Sequence, residues 1–320
     1  MLLRDNNDAF AAALEQAEDV AGYPSSIILK DYWVCAVLRE LKSQFAGEFQ
    51  FKGGTSLSKG WGIIDRMSED VDILVSHVAD ESIADGERRL QTMTERVCDA
   101  LEASWSQWRD PGRGRHAHRD DLIAYDARGF SPVGVDASGI LLQTGLGGGW
   151  EPIELIDVTP LLAQGVAAAD AYDDVQVIPH VTALKPVRTL IEKLHLLHTA
   201  VTAMSRDGVL ADERRIARHY YDIYCCLGHG STVKALSDRA HMSGLFADVQ
   251  RISADVYKTD VERPKDGYAS SPAFLIDADD KNREPLKKAY IAAEDLMRTG
   301  GKWPTFQRVL ERVQQHAALL

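Results

Sequence analysis

Apolar residues three and four positions apart run through the first 45 residues and predict two helices, over 8–20 and 28–43. In the first, Phe10, Ala13 and Leu14 share a face; in the second, Ile28, Tyr32, Cys35, Leu38 and Leu41 form one stripe. The period then changes. In GEFQFKGG, Phe49 and Phe51 alternate with polar residues before two glycines, which predicts a short strand ended by a turn. TSLSKGWGIID predicts a short helix and a turn, and residues 70–75 (DVDILV) a second strand. Residues 86–105 return to the helical period with Leu90, Met93, Val97 and Leu101 on one side. Further strands are predicted near 121–125, 139–145 and 151–158, the last two separated by Gly147-Gly148-Gly149. Near residue 180 the chain changes character. Helical spacing dominates over 187–203, 211–227, a piece near 245–257, 283–298 and 303–318, with a long polar loop at 258–274. These elements predict an α+β chain, with an α/β domain over 1–180 and a helical domain over 181–320.

Composition narrows the classes. Lys and Arg total 36 against 48 Asp and Glu, a net charge of −12, which excludes a strongly basic nucleic-acid coat but not a local basic groove. Residues 104–119 hold Arg109, Arg113, Arg115 and Arg119 against Asp110, with Trp105 and Trp108 interleaved. This segment is a candidate for phosphate or base-stacking contact, or else a loop with ordinary surface arginines. Four cysteines (Cys35, Cys98, Cys225, Cys226) without a C-x-x-C pair fit a reducing, cytoplasmic setting. No apolar run reaches the roughly 20 residues that span a bilayer, and acidic residues interrupt the N-terminal helix where a signal peptide would be continuously apolar.

The chemistry concentrates in FKGGTSLSKGWGIIDRMSEDVDILV, residues 51–75. Asp70 and Asp72 are two apart on a predicted strand, so both carboxylates point to one face. Paired carboxylates repel unless a cation lies between them, and hard oxygen ligands suit Mg²⁺, which keeps waters and takes further ligands from phosphate. Upstream, Gly53-Gly54 precedes a helix start at Thr55-Ser56. Backbone without Cβ atoms, free N–H groups and the helix dipole would admit a phosphate there, with Ser56 and Lys59 adding a hydroxyl and a cation. Ser68 beside the acids either contacts nucleotide or shapes the loop by hydrogen bonding; a modification that charged it would oppose bound phosphate.

The blocks GGTSL (53–57) and RMSEDVDI (66–73) resemble motif I of the DNA polymerase β-like nucleotidyltransferase superfamily. Within it they look like the AbiEii toxin family of type IV toxin–antitoxin systems, which includes the mycobacterial MenT toxins. RTLIEKLH (188–195) and RHYYDIY (218–224) resemble that family's second block, a Glu-Lys pair on one helix and Arg-x-x-x-Asp on the next. The resemblance implies a nucleotidyltransferase-type mixed sheet with flanking helices, and a helical bundle that completes the active-site cleft. It implies that Gly53, Gly54, Thr55, Ser56, Lys59 and Ser68 bind the nucleotide and that Asp70 and Asp72 hold Mg²⁺, with Mn²⁺ as an alternative. Lys193 would neutralise phosphate charge and Asp222 would be a later polar member of the site. Superfamily members often add a third carboxylate from a later strand; here Gln143 stands at that place, and Glu154 or Asp157 on the next strand are the alternatives.

From the residues alone, Lys193 at the edge of the stripe Leu190, Leu194, Leu197 and Val201 is a snorkelling lysine, and Arg218 with Asp222 an i,i+4 pair on a surface widened by Arg214 and Arg215. His195 and His198 lack a third metal ligand and are packing or solvated histidines. The resemblance, rather than these residues, implies the expected activity: transfer from a nucleoside triphosphate to an RNA, at the tRNA 3′ end, which would block aminoacylation and translation under the control of a cognate antitoxin. Two other readings stay open: the same enzyme acting on a small molecule or a protein hydroxyl, and a non-catalytic nucleotide-binding protein.

Overall fold

A computed structural model of the chain describes residues 1–109, 116–131, 139–210, 212–256, 258–259, 261–275, 280–294, 297 and 301–320. The chain divides into two compact units. The first takes Met1–Gly62 and Met67–Leu184, the second Ile63–Arg66, Lys185–Met297 and Gly301–Leu320.

The first unit is built on a seven-stranded mixed sheet in the order β3-β4-β5-β2-β1-β7-β6. Its strands are β1 (Phe49–Lys52), β2 (Val71–Val75), β3 (Trp105–Arg109), β4 (His118–Ala124), β5 (Gly139–Gly145), β6 (Ile153–Val158) and β7 (Ile178–Leu184). β2 runs parallel to β5 and β1 parallel to β7; the other neighbours are antiparallel. Helices α1 (Asn7–Ala21), α2 (Ser25–Gln44) and α4 (Ile83–Leu101) supply apolar faces to this core. The stripes predicted for α2 and α4 are buried, and of the charged residues of α2 only Lys30 is buried with them. Phe51, Ile73 and Leu142, on three adjacent strands, are fully enclosed.

Two features differ from the sequence expectation, and a third lies beyond what it addressed. The helix predicted to 105 stops at Leu101, where Glu102 adopts a left-handed conformation (φ 54°), and Trp105 begins β3 against β4. Strand β7 was not predicted: Pro179 and His180 (φ 54°) break the alternation, and its pairing with β1 and β6 is what makes it a strand. The strands on either side of the triple glycine are not neighbours. β5 lies inside the sheet beside β2, and β6 forms the far edge.

The second unit contains α5 (Pro186–Asp207), α6 (Glu213–Gly228), α7 (Gly230–Leu236), α8 (Arg239–Asp255), α9 (Asp280–Ala292) and α10 (Phe306–Gln315). Proline opens α5, where its missing N–H costs nothing, and Asp212 caps α6 by accepting from Arg215 N. The predicted stripe Leu190, Leu194, Leu197 and Val201 is fully buried. Tyr220 on α6 packs its ring against Phe274, Tyr290 and Phe306. α8 begins earlier than predicted because Asp238 caps it at His241 N. The polar stretch at 258–274 is irregular over its described residues except for one turn at Tyr268–Ser270. Among the described residues no helix is long and apolar enough to cross a membrane, and all four cysteines are free.

Candidate functional site

The segment between β1 and β2 is shaped by one close approach. Gly53 follows the last residue of β1 with φ +76°, and a Cβ there would lie 2.3 Å from Oδ2 of Asp72. Only glycine leaves room for that carboxylate and takes that backbone angle without strain. The short helix α3 (Gly53–Thr55) continues into a wider turn over Ser56–Gly60. Thr55 is buried and its hydroxyl donates to the backbone oxygen of Asp70 at 2.5 Å and meets Ser68 Oγ at 2.8 Å; the buried Ser56 hydroxyl donates to Gly53 O at 2.9 Å. These hydroxyls therefore hold the turn onto the start of β2. Lys59 has a partner that sequence reasoning missed: its ammonium lies 2.7 Å from Asp31 Oδ1. Burial alone would lower the Lys59 pKa, but the Asp31 charge and hydrogen bond outweigh it and hold the value above the ordinary one.

Asp70 immediately precedes β2 and Asp72 is its second residue. Both are half-buried while Val71 and Ile73 are fully enclosed, the alternation expected when the two acids share a face. Among the described residues no three of His, Cys, Asp and Glu converge as a metal site. Two aspartates fit Mg²⁺ or Mn²⁺ in the mode in which solvent and substrate phosphate complete the shell, and the space kept open by Gly53 lies directly against one of them.

The cross-strand row through Asp72 explains what stands in place of a third acid. Lys52 on β1 and Gln143 on β5 lie opposite Asp72, and Asp120 on β4 lies opposite Gln143. Gln143 Nε2 donates to Asp120 Oδ1 at 3.1 Å, so its carbonyl oxygen faces away from Asp120. Glu154 and Asp157 are excluded as partners of this row. They lie on β6, three strand spacings from β2, about 14 Å, and Asp157 accepts from His180 N. Sequence reasoning missed Asp120, whose one signal is the acidic pair at the start of β4. Gln143→Glu is expected to place a third carboxylate in the row, and so to enlarge the rise in melting temperature on adding Mn²⁺ over that of wild type. An unchanged rise would place β5 beyond the reach of the cation.

Lys193 and Asp222 come together in the second unit, with a third member that the sequence did not reveal. Lys193 Nζ lies 2.9 Å from Asp222 Oδ2, and Arg66 grips the same carboxylate through Nε and Nη2 at 2.7 Å each. All three residues are buried. Asp222 therefore pairs with Arg66 and Lys193, and Lys193 does not snorkel to water. Burial would raise the Asp222 pKa, but Arg66 and Lys193 outweigh it and hold the carboxyl well below the usual range. Lys193 also donates to His219 Nδ1 at 3.1 Å; burial first, then the Lys193 charge, push that histidine well below its ordinary value, so it is neutral. The stretch that carries Arg66 is fastened again at Asp65, whose N–H donates to the Tyr221 hydroxyl. Arg214 and Arg215 are exposed, and Arg218 is half-buried. His195 and His198 are buried packing residues bonded to Tyr268 and Ser271.

The basic segment changes its meaning. Residues 110–115, with Arg113 and Arg115, lie outside the described residues. Arg119 is a buried partner of Asp121 with its guanidinium over the Trp105 ring, so these two side chains serve the fold. Trp108 remains exposed.

A mixed α+β fold, with a glycine turn set against an acid-bearing central strand, is consistent with the nucleotidyltransferase class. Residues 36–312 match the family described as nucleotidyl transferase AbiEii toxin, type IV TA system, and the chain belongs to that family. Membership implies an antitoxin partner. No curated protein matches the chain.

Proposed function

We propose that the protein is a Mg²⁺-dependent nucleotidyltransferase toxin that moves a nucleotidyl group from a nucleoside triphosphate to an RNA hydroxyl, at the tRNA 3′ end, and so blocks translation. The observation that carries this reading is the Gly53 turn packed against Asp72, with Asp70 two residues away. Asp70 and Asp72 would hold the cation, whose contribution when bound is to neutralise charge gathering on the transferring phosphate. Gly53, Gly54 and Ser56 would frame the triphosphate, with Thr55 and Ser68 keeping the turn in place. Lys193, oriented by Asp222, would neutralise phosphate charge. The acceptor oxygen forms a bond to the α-phosphorus, the bond from that phosphorus to the β-phosphate oxygen breaks, and pyrophosphate leaves as the hydroxyl proton passes to solvent.

The net charge of −12 and the burial of Arg119 favour a second reading, in which the acceptor is a small molecule or a protein hydroxyl. Salt separates the two, because contacts to a phosphate backbone weaken steeply with ionic strength and contacts to a neutral acceptor do not.

The test is to incubate the protein with Mg²⁺, each labelled nucleoside triphosphate in turn and total tRNA, beside Asp70→Ala and Lys193→Ala. Label is expected in tRNA with wild type and to fall by at least about 100-fold with Asp70→Ala. Transfer undiminished by Asp70→Ala would reject the site. Nucleotide binding without transfer to tRNA, protein or small acceptors would identify a non-catalytic binder.

A further inference from the structure

We propose that the buried ion pair between Lys30 and Glu69 is the device that positions Asp70, with Thr55 holding the same backbone by a hydrogen bond. The inference rests on the metal reading of Asp70 and Asp72 given above. It assigns a role to two residues outside the proposed metal and nucleotide contacts, and Lys30 lies outside the span matched by the family.

The need arises from where the two acids sit. Asp72 is inside β2 and is fixed by ladders on both sides, opposite Lys52 on β1 and Gln143 on β5. Asp70 lies one residue before β2, and the register with β5 begins only at Val71. Its position must come from elsewhere. Glu69, next to it in the chain, turns into the core and meets Lys30 Nζ at 2.8 Å, with side chains 2% and 1% exposed. Thr55 holds the Asp70 carbonyl and touches the Ser68 hydroxyl. Three consecutive residues, Ser68, Glu69 and Asp70, are thus anchored to α2 and α3.

Stability alone does not account for two charges in this place. Taking a lysine and a glutamate out of water costs about as much as their attraction returns, and apolar side chains of similar volume often hold a core equally well. A buried ion pair does supply direction, because each charge is worth keeping only where the other is. That property suits a backbone that must hold a neighbouring carboxylate in one place.

The double variant Lys30→Met/Glu69→Met separates the two roles, since it keeps volume and removes charge. Its urea midpoint is expected to equal or exceed that of wild type. Its affinity for Mn²⁺, titrated calorimetrically without nucleotide, is expected to fall about tenfold, with a matching rise in the Mg²⁺ needed for half-maximal transfer. The swap Lys30→Glu/Glu69→Lys is expected to recover part of that affinity. Thr55→Val, which removes one hydroxyl with little change of shape, should weaken Mn²⁺ binding in the same direction and gives a second readout should the double variant fold poorly. Asp72→Asn distinguishes the failures. If it weakens Mn²⁺ binding while folded Lys30→Met/Glu69→Met and Thr55→Val match wild type, the positioning role is overturned and the metal site stands. If wild type binds Mn²⁺ no better than Asp72→Asn, the metal reading falls and this inference falls with it.

Discussion

Asp222→Asn is expected to destabilise the helical unit by about 3–5 kcal/mol, the cost of removing one partner from a buried charge cluster. The Asp222 carboxylate is fully buried and serves two cations, Arg66 through two hydrogen bonds and Lys193 through one. With His219 neutral, the cluster carries one surplus positive charge; asparagine would raise that to two and turn an amide donor toward groups that only donate. Urea denaturation at pH 7 measures the loss, and a change below about 1 kcal/mol would show that solvent reaches the cluster. The pH dependence has a definite sign. The carboxyl pKa is depressed in the folded state, so its contribution is complete above the unfolded value of about 4 and is lost as pH falls through the folded value. Acidification below about pH 4 should therefore weaken wild type more steeply than Asp222→Asn.

Gly53→Ala is expected to abolish most transfer at a small cost in stability. The alanine Cβ would fall 2.3 Å from Asp72 Oδ2, and a left-handed residue other than glycine adds about 1–2 kcal/mol. The backbone is held by β1 on one side and by Ser56 on the other, so the carboxylate is what must move. A displaced ligand of this kind is expected to lower the transfer rate by at least about 100-fold, while the unfolding free energy falls by about 1–2 kcal/mol. The two are measured by nucleotide transfer under saturating Mg²⁺ and by urea titration. Full transfer in a folded Gly53→Ala protein would show that the observed position of Asp72 has no bearing on the chemistry.

The two cases mark where sequence reading succeeds and where it stops. The helical stripes of α2, α4 and α5, the strand FQFK, and the pairing of a glycine turn with two acids are local patterns, set by periods of 3.6 and 2 and by the conformational freedom of glycine. They were legible residue by residue, and the resemblance they carry led to the family that matches residues 36–312. The function of the first glycine was only half legible. Its place in a turn was visible, but its closeness to Asp72 depends on β1 pairing with β2 in one register.

Partner choice was decided by the tertiary structure. Arg218, one helical turn away, was the partner the sequence suggested for Asp222; the structure adds Arg66, 156 residues distant, and Lys193 on another helix. Glu69 received no reading from the sequence, and its lysine lies 39 residues earlier. Arg119 counted toward a basic surface until β4 turned it inward onto Asp121, and β7 became a strand only by lying between β1 and β6. The sequence by itself determined most of the helices, the strands β1, β2, β4, β5 and β6, the helical second half and the acids that lead β2. The tertiary structure alone decided which charges are buried and against which partners, because periodicity acts over a few residues whereas a buried charge is tolerated only where the folded chain brings its counter-charge.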